Sequence, residues 1–438
     1  MRSNRLARPL GAAAAVVGLL VVGYGWRVQA TYALHGPGGL ATTGGSLAAL
    51  AGAYLCLLCL LIVARVPALE RRVGQEVLVA WHRRLAPWAL VLIGLHVVLV
   101  SVGYARAARV DLAHEVWSLV TGYPWMLPAA AAFVAMVSLG VVSWRPLRRL
   151  MSYETWWVSH LYFYLAVGLA FGHQVTNGTV FPGHDLARWA WTGLYLVVAA
   201  ALVGYRVVLP VLRSTRHRLR VAAVVRESPQ VVSVYVSGRD LHALRARGGQ
   251  YFGWRFLTRE WWWQAHPYSL SAAPDGRTLR ITVKGLGDHS HDLARLRVGT
   301  RVLAEGPYGV FTADTRSSDS VVAIAGGAGI APIRSLLDEL PPGVSVTLLF
   351  RVPRVDSAPL RAELEALVTA RGWRLWYLEG DRSQHPLDAA ELQRLAPEIR
   401  RADVYVCGPE SFSTAVFDAA RRLGVPEQRL HHESFAMV

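Results

Sequence analysis

Up to about residue 210 the chain is a succession of apolar runs separated by short polar loops. A run of ~20 apolar residues is the length of an α-helix that crosses a bilayer. Inside lipid the backbone must satisfy its own hydrogen bonds, so such runs fold as helices. We read six of them, at residues 10–30, 43–64, 85–104, 125–143, 155–174 and 188–210. The first has features of a signal peptide as well, with a basic start and Val28-Gln29-Ala30 as a cleavage site; a retained helix is the favoured reading. Beyond residue 210 turns, charges and alternating patterns take over, so a membrane half precedes one or two soluble domains.

Arginine placement predicts the orientation. The formal net charge is +16. Arg2, Arg5 and Arg8 precede the first run, and Arg65, Arg71, Arg72, Arg83 and Arg84 lie between the second and third. Arg145, Arg148 and Arg149 follow the fourth, and Arg213, Arg216, Arg218 and Arg220 follow the sixth. The opposite loops hold only Arg106, Arg109 and Arg188. The positive-inside rule then places the N-terminus and the soluble half in the cytoplasm of a multi-pass protein of the plasma (inner) membrane. A charge excess clustered at span ends reads as topology and lipid contact, not nucleic-acid binding. The chain has three cysteines. That excludes both a disulfide framework and an iron–sulfur domain, which needs four thiolates per cluster. Cys56 and Cys59, inside AYLCLLCLLIV, read as small apolar residues of a spanning helix.

Four histidines stand out against this apolar background. His82 and His96 flank LAPWALVLIGL, and His160 and His173 flank LYFYLAVGLAFG. Ionisable residues are costly in a membrane and mark function there. Fourteen helical residues rise ~21 Å, which separates two levels, and at ~100° per residue His82 and His96 return to nearly one face. His160 and His173 fall ~140° apart on an ideal helix, which calls for a distortion near Gly168 or a different approach at each level. Two haems stacked across the bilayer, each held by one histidine from each helix, account for the set. Bis-histidine ligation leaves no open iron position and suits electron transfer. His35, His114 and His184 fall in outer loops and read as solvated residues.

From about residue 215 short strands are predicted in HRLRVAAVVRES, VVSVYVSG and TLRITVKG. His266-Pro267-Tyr268-Ser269-Leu270-Ser271 offers an aromatic to stack on a flavin and hydroxyls for its phosphates. Val283-Lys284-Gly285-Leu286-Gly287-Asp288-His289-Ser290 reads as a glycine turn that brings N–H groups to phosphate. Gly306-Pro307-Tyr308-Gly309 reads as a tight turn closing a barrel. Trp261-Trp262-Trp263 has two readings, a membrane- or haem-facing patch and a barrel strand. Further on, strand SVVAIAG leads through Gly326-Gly327-Ala328-Gly329-Ile330-Ala331-Pro332 into a helix, the arrangement of a phosphate loop at a parallel strand's carboxyl end. Arg351 and Arg354 follow the second strand of this layer, where a 2′-phosphate sits, which favours NADPH while leaving NADH open. Cys407-Gly408-Pro409-Glu410 ends a later strand.

On the histidine spacings of fourteen and thirteen and on SYETWWVSHLYFYL, the apolar half resembles the ferric reductase-like transmembrane domain of the NADPH oxidase and ferric reductase superfamily. The resemblance pairs His82 with His160 on an inner haem b and His96 with His173 on an outer one. The soluble half resembles the ferredoxin–NADP reductase superfamily. There His266, Tyr268, Ser269 and Ser271 bind FAD, and Gly287 and Ser290 contact its phosphates. Gly326, Gly327 and Gly329 bind the nicotinamide dinucleotide, Cys407 lies by the nicotinamide, and Phe435 covers the flavin. A histidine at the start of the flavin motif is the habit of the NADPH oxidase branch. The implied architecture is a six-helix transmembrane haem-binding bundle (1–212), an antiparallel β-barrel FAD domain (213–314) and an α/β NAD(P)-binding domain (315–438).

The implied path runs from NAD(P)H to FAD, through the two haems, to an extracytoplasmic acceptor, either oxygen or a ferric chelate. Superoxide-forming members carry a histidine where this chain has Val100, and an arginine in the outer half of the second helix that is missing here. That leaves room for ferric chelates or a quinone-like acceptor. The competing reading is a membrane-anchored flavin reductase that supplies a cytoplasmic partner.

Overall fold

The computed structural model describes residues 2–35, 38–178, 180–285 and 292–434. Gly287, Ser290 and Phe435 lie outside the described residues. The chain divides into two compact units, Ser3–Arg206 and Val207–Val438.

The first unit is helical: α1 (Arg2–His35), α2 (Gly39–Val63), α3 (Pro67–Val73), α4 (Gln75–Ala108), α5 (Leu112–Gly122), α6 (Met126–Ser143), α7 (Arg145–Arg148), α8 (Tyr153–Leu169), α9 (Phe171–Thr176) and α10 (Asp185–Val203). A π-helical turn, Gly204–Val208, and α11 (Leu209–His217) carry α10 onward. Among the described residues five helices are long and apolar enough to cross a membrane: Ala7–Ala33, Gly39–Val63, Val77–Ala108, Met126–Ser143 and Asp185–His217. The remaining expected span, 155–174, is not one helix. It is the 17-residue α8 and the six-residue α9, separated at Ala170. Gly168 and Gly172 flank the break, and glycine is a weak helix former. A Cβ on Gly172 would stand 2.6 Å from the Trp125 indole, so α9 packs directly under that ring.

α4 starts ten residues earlier than the expected 85–104 span, so His82 lies within a helix. α5, absent from the sequence reading, is capped by Asp111, whose Oδ1 accepts from His114 N at 2.9 Å. α2 and α4 approach closely along a seven-residue glycine series. Gly38 meets Gly103, Gly45 meets Val100 and Gly52 meets Ile93, each with no room for a Cβ at ordinary contact distance. Small residues that let backbones approach are the usual means of helix association in lipid.

The second unit begins with an antiparallel region: β1 (Arg220–Ser228), β2 (Val231–Ser237), β3 (Tyr251–Phe256), β4 (His266–Ser269), β5 (Thr278–Lys284) and β6 (Val302–Tyr308). It comprises two three-stranded sheets, ordered β1-β2-β5 and β4-β3-β6. Single bridges, Leu270 to Ile281 and Arg220 to Arg301, join them at both sides, so the six strands close on themselves. Trp254, Phe252, Phe256, Leu270 and Ile281 fill the interior. Two segments read from the sequence take a more specific form. Gly306-Pro307-Tyr308 lies in β6, where Tyr308 pairs with Tyr251 of β3, Gly306 and Pro307 fall at the register shift between the strands, and Gly306 (φ 146°) and Gly309 (φ 94°) both take positive φ. Trp261-Trp262-Trp263 is not a barrel strand: it is a turn after β3, with Trp261 packed on the barrel core and Trp262 exposed.

A five-stranded parallel sheet follows, of β7 (Ser320–Gly326), β8 (Ser345–Val352), β9 (Arg374–Glu379), β10 (Asp403–Gly408) and β11 (Leu430–Ser434), ordered β11-β10-β7-β8-β9. The chain leaves β7 toward β8 and β9 and later returns to its other side. The switch point is therefore between β7 and β10, where open α/β sheets bind ligands at the strands' carboxyl ends.

Candidate functional sites

In the helical unit the four histidines come together in two pairs. His82 of α4 faces His160 of α8, with ring centres 6.1 Å apart and planes inclined at 73°. His96 of α4 faces His173 of α9 at 6.4 Å and 33°. The break at Ala170 falls between His160 and His173, and with a spacing of thirteen each faces its own partner on α4. His96 Nδ1 donates to the Gly45 carbonyl at 3.0 Å. Only glycine at 45 lets α2 come that close. His160 Nδ1 lies 3.2 Å from Ser143 Oγ, which accepts from Trp156 Nε1 at 3.3 Å. These contacts engage Nδ1 of His96 and of His160 and leave Nε2 of those two rings for a partner ligand, the arrangement that orients metal-binding imidazoles.

The pairs fit haem iron. One metal held by both rings through bonds of about 2 Å sets ring centres about 6 Å apart. Among the described residues no group of three or more His, Cys, Asp or Glu could enclose an ion. Two donors suit a metal whose other positions a macrocycle fills.

In the second unit the flavin-motif residues line up on β4. His266 is buried, donates from Nε2 to Gln264 Oε1 at 3.1 Å, and stacks on Tyr268 at 6.2 Å and 15°. Burial pushes the Tyr268 phenol up, so it is a neutral ring at physiological pH. Pro267 is exposed, Ser269 is buried opposite Tyr251, and Leu270 belongs to the barrel core. Ser271 is fully buried, and its hydroxyl accepts from Arg280 Nε (3.0 Å) and Thr282 Oγ1 (2.7 Å). Val283 and Lys284 end β5.

The nucleotide turn sits at the switch point. Gly326 ends β7, Gly327 takes φ 56°, and Ile330 and Pro332 open helix Ile330–Asp338. A Cβ on Gly329 would lie 2.0 Å from the Cys407 carbonyl, so the turn rests on β10 only as glycine. Cys407 is fully buried, and Gly408 is pressed between Phe412 and Gly326. Pro409 caps helix Glu410–Arg422, with Glu410 exposed at its start.

Two further groups escaped the sequence reading. Glu433, nearly buried, pairs in register with Cys407 across β10 and β11, and its carboxylate comes to Gly309 beside Tyr251. The second is Arg382. Arg351, at the end of β8, lies 4.5 Å over the Phe412 ring and lines a small cavity with Arg382. Burial, then the charge of Arg382, push the Arg351 guanidinium down from its ordinary value; Asp381 and Glu391 oppose this. Arg354 is exposed and sits 3.9 Å from Asp356 instead. Arg351 thus shares its cavity with Arg382 and not with Arg354.

Residues 48–171 match the ferric reductase like transmembrane component family, 216–312 the FAD-binding domain and 323–418 the oxidoreductase NAD-binding domain. The chain is a ferric reductase-type transmembrane component fused to FAD-binding and NAD-binding oxidoreductase domains. The reductase is 30% identical over 269 residues to a flavohemoprotein of Vibrio cholerae serotype O1, across 56% of this chain and 68% of that one. It is 27% identical over 230 residues to an NADPH oxidoreductase of Mycobacterium tuberculosis, across 50% and 60%. Among solved structures it is similar to the FAD/NAD-binding domain of a nitric oxide dioxygenase from Vibrio cholerae, at 27% identity and TM-score 0.43, over 50% of this chain and 97% of that domain. The three family matches make the reductase a multi-pass, ferric reductase-like NAD(P)H/FAD oxidoreductase.

Proposed function

We propose that the reductase carries electrons from cytoplasmic NADPH, through FAD and two haems b, to an acceptor on the other side of the membrane. The observation that carries this reading is the pair of facing imidazole sets, His82 with His160 and His96 with His173, at 6.1 and 6.4 Å. When bound, FAD converts a two-electron hydride into single electrons that haem iron can carry. The chain's own residues bind and orient. Tyr268 and His266 offer stacked rings to the flavin, and Ser269 offers a buried hydroxyl. Gly326, Gly327 and Gly329 open the switch point to the dinucleotide, with Cys407 and Glu433 beside it. Arg351 and Arg382 favour the 2′-phosphate of NADPH over NADH. Gly45 and Ser143 hold imidazoles of the outer and inner pair, respectively.

In this reading α8 and α9 together make a sixth crossing, and arginine distribution sets the soluble half in the cytoplasm. Val100, in place of a histidine, favours a ferric chelate or quinone-like acceptor over oxygen. The test is an anaerobic absorbance spectrum of the purified full chain before and after NADPH, followed by ferric citrate or oxygen. A Soret band that shifts on NADPH and reverts on ferric citrate is the expected result. No Soret band, with full flavin reduction, would leave the membrane-anchored flavin reductase.

A further inference from the structure

Arg280, on β5, is a buried cation that the path above does not use. Its side chain is 7% exposed. A guanidinium has five N–H donors in a fixed fork, and here each has an acceptor. Nη1 donates to Glu363 Oε1 (2.5 Å) and Tyr235 OH (3.5 Å). Nη2 donates to Glu363 Oε2 (2.8 Å) and the Ser271 carbonyl (2.6 Å), and Nε to Ser271 Oγ (3.0 Å). One planar group thus joins the last residue of the flavin motif to helix Arg361–Arg371 of the nucleotide layer.

The segment after Ser271 is held from the same side. Ser335 Oγ donates to the Ala272 carbonyl (3.1 Å), and Ala273 N donates to Asp338 Oδ2 (3.3 Å). Ser335 and Asp338 lie on helix Ile330–Asp338, which starts at the Gly327–Gly329 turn. Arg334 of that helix pairs with Asp338 and stands 3.5 Å from Glu363. The helix that begins at the nucleotide turn therefore grips the flavin motif further along its length. With both lone pairs of Ser271 Oγ filled by Arg280 and Thr282, its own proton is left to donate.

We propose that Arg280, with Glu363, is a positioning residue for hydride transfer: it fixes the flavin motif against the nucleotide turn, so that nicotinamide and flavin meet in reacting register. The proposal rests on the NAD(P)H-to-flavin half of the function above. Hydride transfer is sensitive to placement because misplacement of about 1 Å costs up to about a hundredfold. Lysine cannot replace a bidentate fork.

The test compares wild type, Arg280→Lys and Glu363→Gln as full chains in detergent. Each is mixed anaerobically with saturating NADPH or its C4-deuterated form, and flavin bleaching is followed. The expected result is a limiting rate per bound FAD lower by about tenfold to a hundredfold, with a larger deuterium effect, unchanged FAD content and an NADPH half-saturation within about twofold of wild type. A merely structural role would lower FAD content and melting temperature while leaving the rate per bound FAD intact, and that result would overturn the proposal. Glu363→Gln keeps an acceptor for the buried fork, so it remains informative should Arg280→Lys fold poorly. Bleaching is read before any electron leaves the flavin, so a failure of the haem reading leaves this experiment untouched.

Discussion

The imidazoles of His96 and His173 face each other at 6.4 Å, although on an ideal helix His173 falls ~140° away from His160. A one-residue interruption at Ala170 lies between His160 and His173. Each histidine also has its own surroundings: Gly45 carbonyl at one, Ser143 hydroxyl at another. That asymmetry supports separate tests of the two levels.

Replacing His96 by Leu removes one imidazole from one pair and leaves His82 and His160 untouched. In the haem reading the chain then retains roughly half of its haem. Pyridine haemochrome assay against protein concentration measures this. NADPH should still bleach the flavin, while reduction of external ferric citrate is lost. Full haem content in His96→Leu would refute the ligand assignment.

Gly45→Ala places a Cβ 2.7 Å from Val100 Cγ2 and 3.0 Å from Val100 N. Overpacking of this kind costs about 1–3 kcal/mol. It also pushes the Gly45 carbonyl off His96 Nδ1. An imidazole that loses its acceptor is a weaker donor to metal, so the midpoint potential of one of the two centres should rise. A spectroelectrochemical titration that finds both potentials unmoved would contradict this.

Arg382→Gln should raise the KM for NADPH and leave that for NADH unchanged. A hydrogen bond to a charged group contributes about 1.5–3 kcal/mol, or about tenfold to a hundredfold in affinity. Arg354→Gln, at the exposed position beside Asp356, should change neither. Parallel steady-state kinetics with the two nucleotides settles it, since an equal loss for both would exclude 2′-phosphate recognition.

Acid should loosen the start of β7 as pH falls below the ordinary carboxylate range. Asp403 accepts from Ser317 N (2.8 Å), Ser318 N (2.6 Å) and His431 Nε2 (2.8 Å). Burial alone would raise its carboxyl; the hydrogen bonds and charge of His431 and the two amides outweigh this and hold it below its ordinary value. A depressed folded-state pKa stabilises above the unfolded value of about 3.9 and loses that contribution as pH falls through the folded one. Hydrogen–deuterium exchange over 315–320 should accelerate along this limb, and Asp403→Asn should flatten the pH dependence. Identical pH profiles for the two proteins would exclude Asp403 as the titrating group.

Much of this is legible in the sequence alone. The four histidines were visible because charge-capable rings interrupt otherwise apolar runs, and both parallel-strand glycine turns sit where SVVAIAG and DVYVCGP end. What hid was carried by residues with no periodic signal. Gly38, Gly45 and Gly52 look like background in an apolar helix until Gly103, Val100 and Ile93 are found against them. Arg382 comes from the loop after β9, and reaches Arg351 only through the fold. Glu433 meets Cys407 because β11 is added beyond β10, a pairing that no local pattern announces. The tryptophan run is not the barrel strand that its large side chains suggest, because the three rings have different surroundings in one turn.

The break at Ala170 has a second consequence, one of parity. It leaves α8 at 17 residues, so five uninterrupted apolar helices are long enough to cross a membrane. An odd number of crossings puts the two ends of the helical unit on opposite sides; an even number puts them on the same side. Whether α8 and α9 jointly traverse the bilayer thus decides which compartment receives everything after His217. A reporter enzyme fused after Thr176 would read that parity directly, because only a sixth traverse sets residues 152 and 177 on different sides.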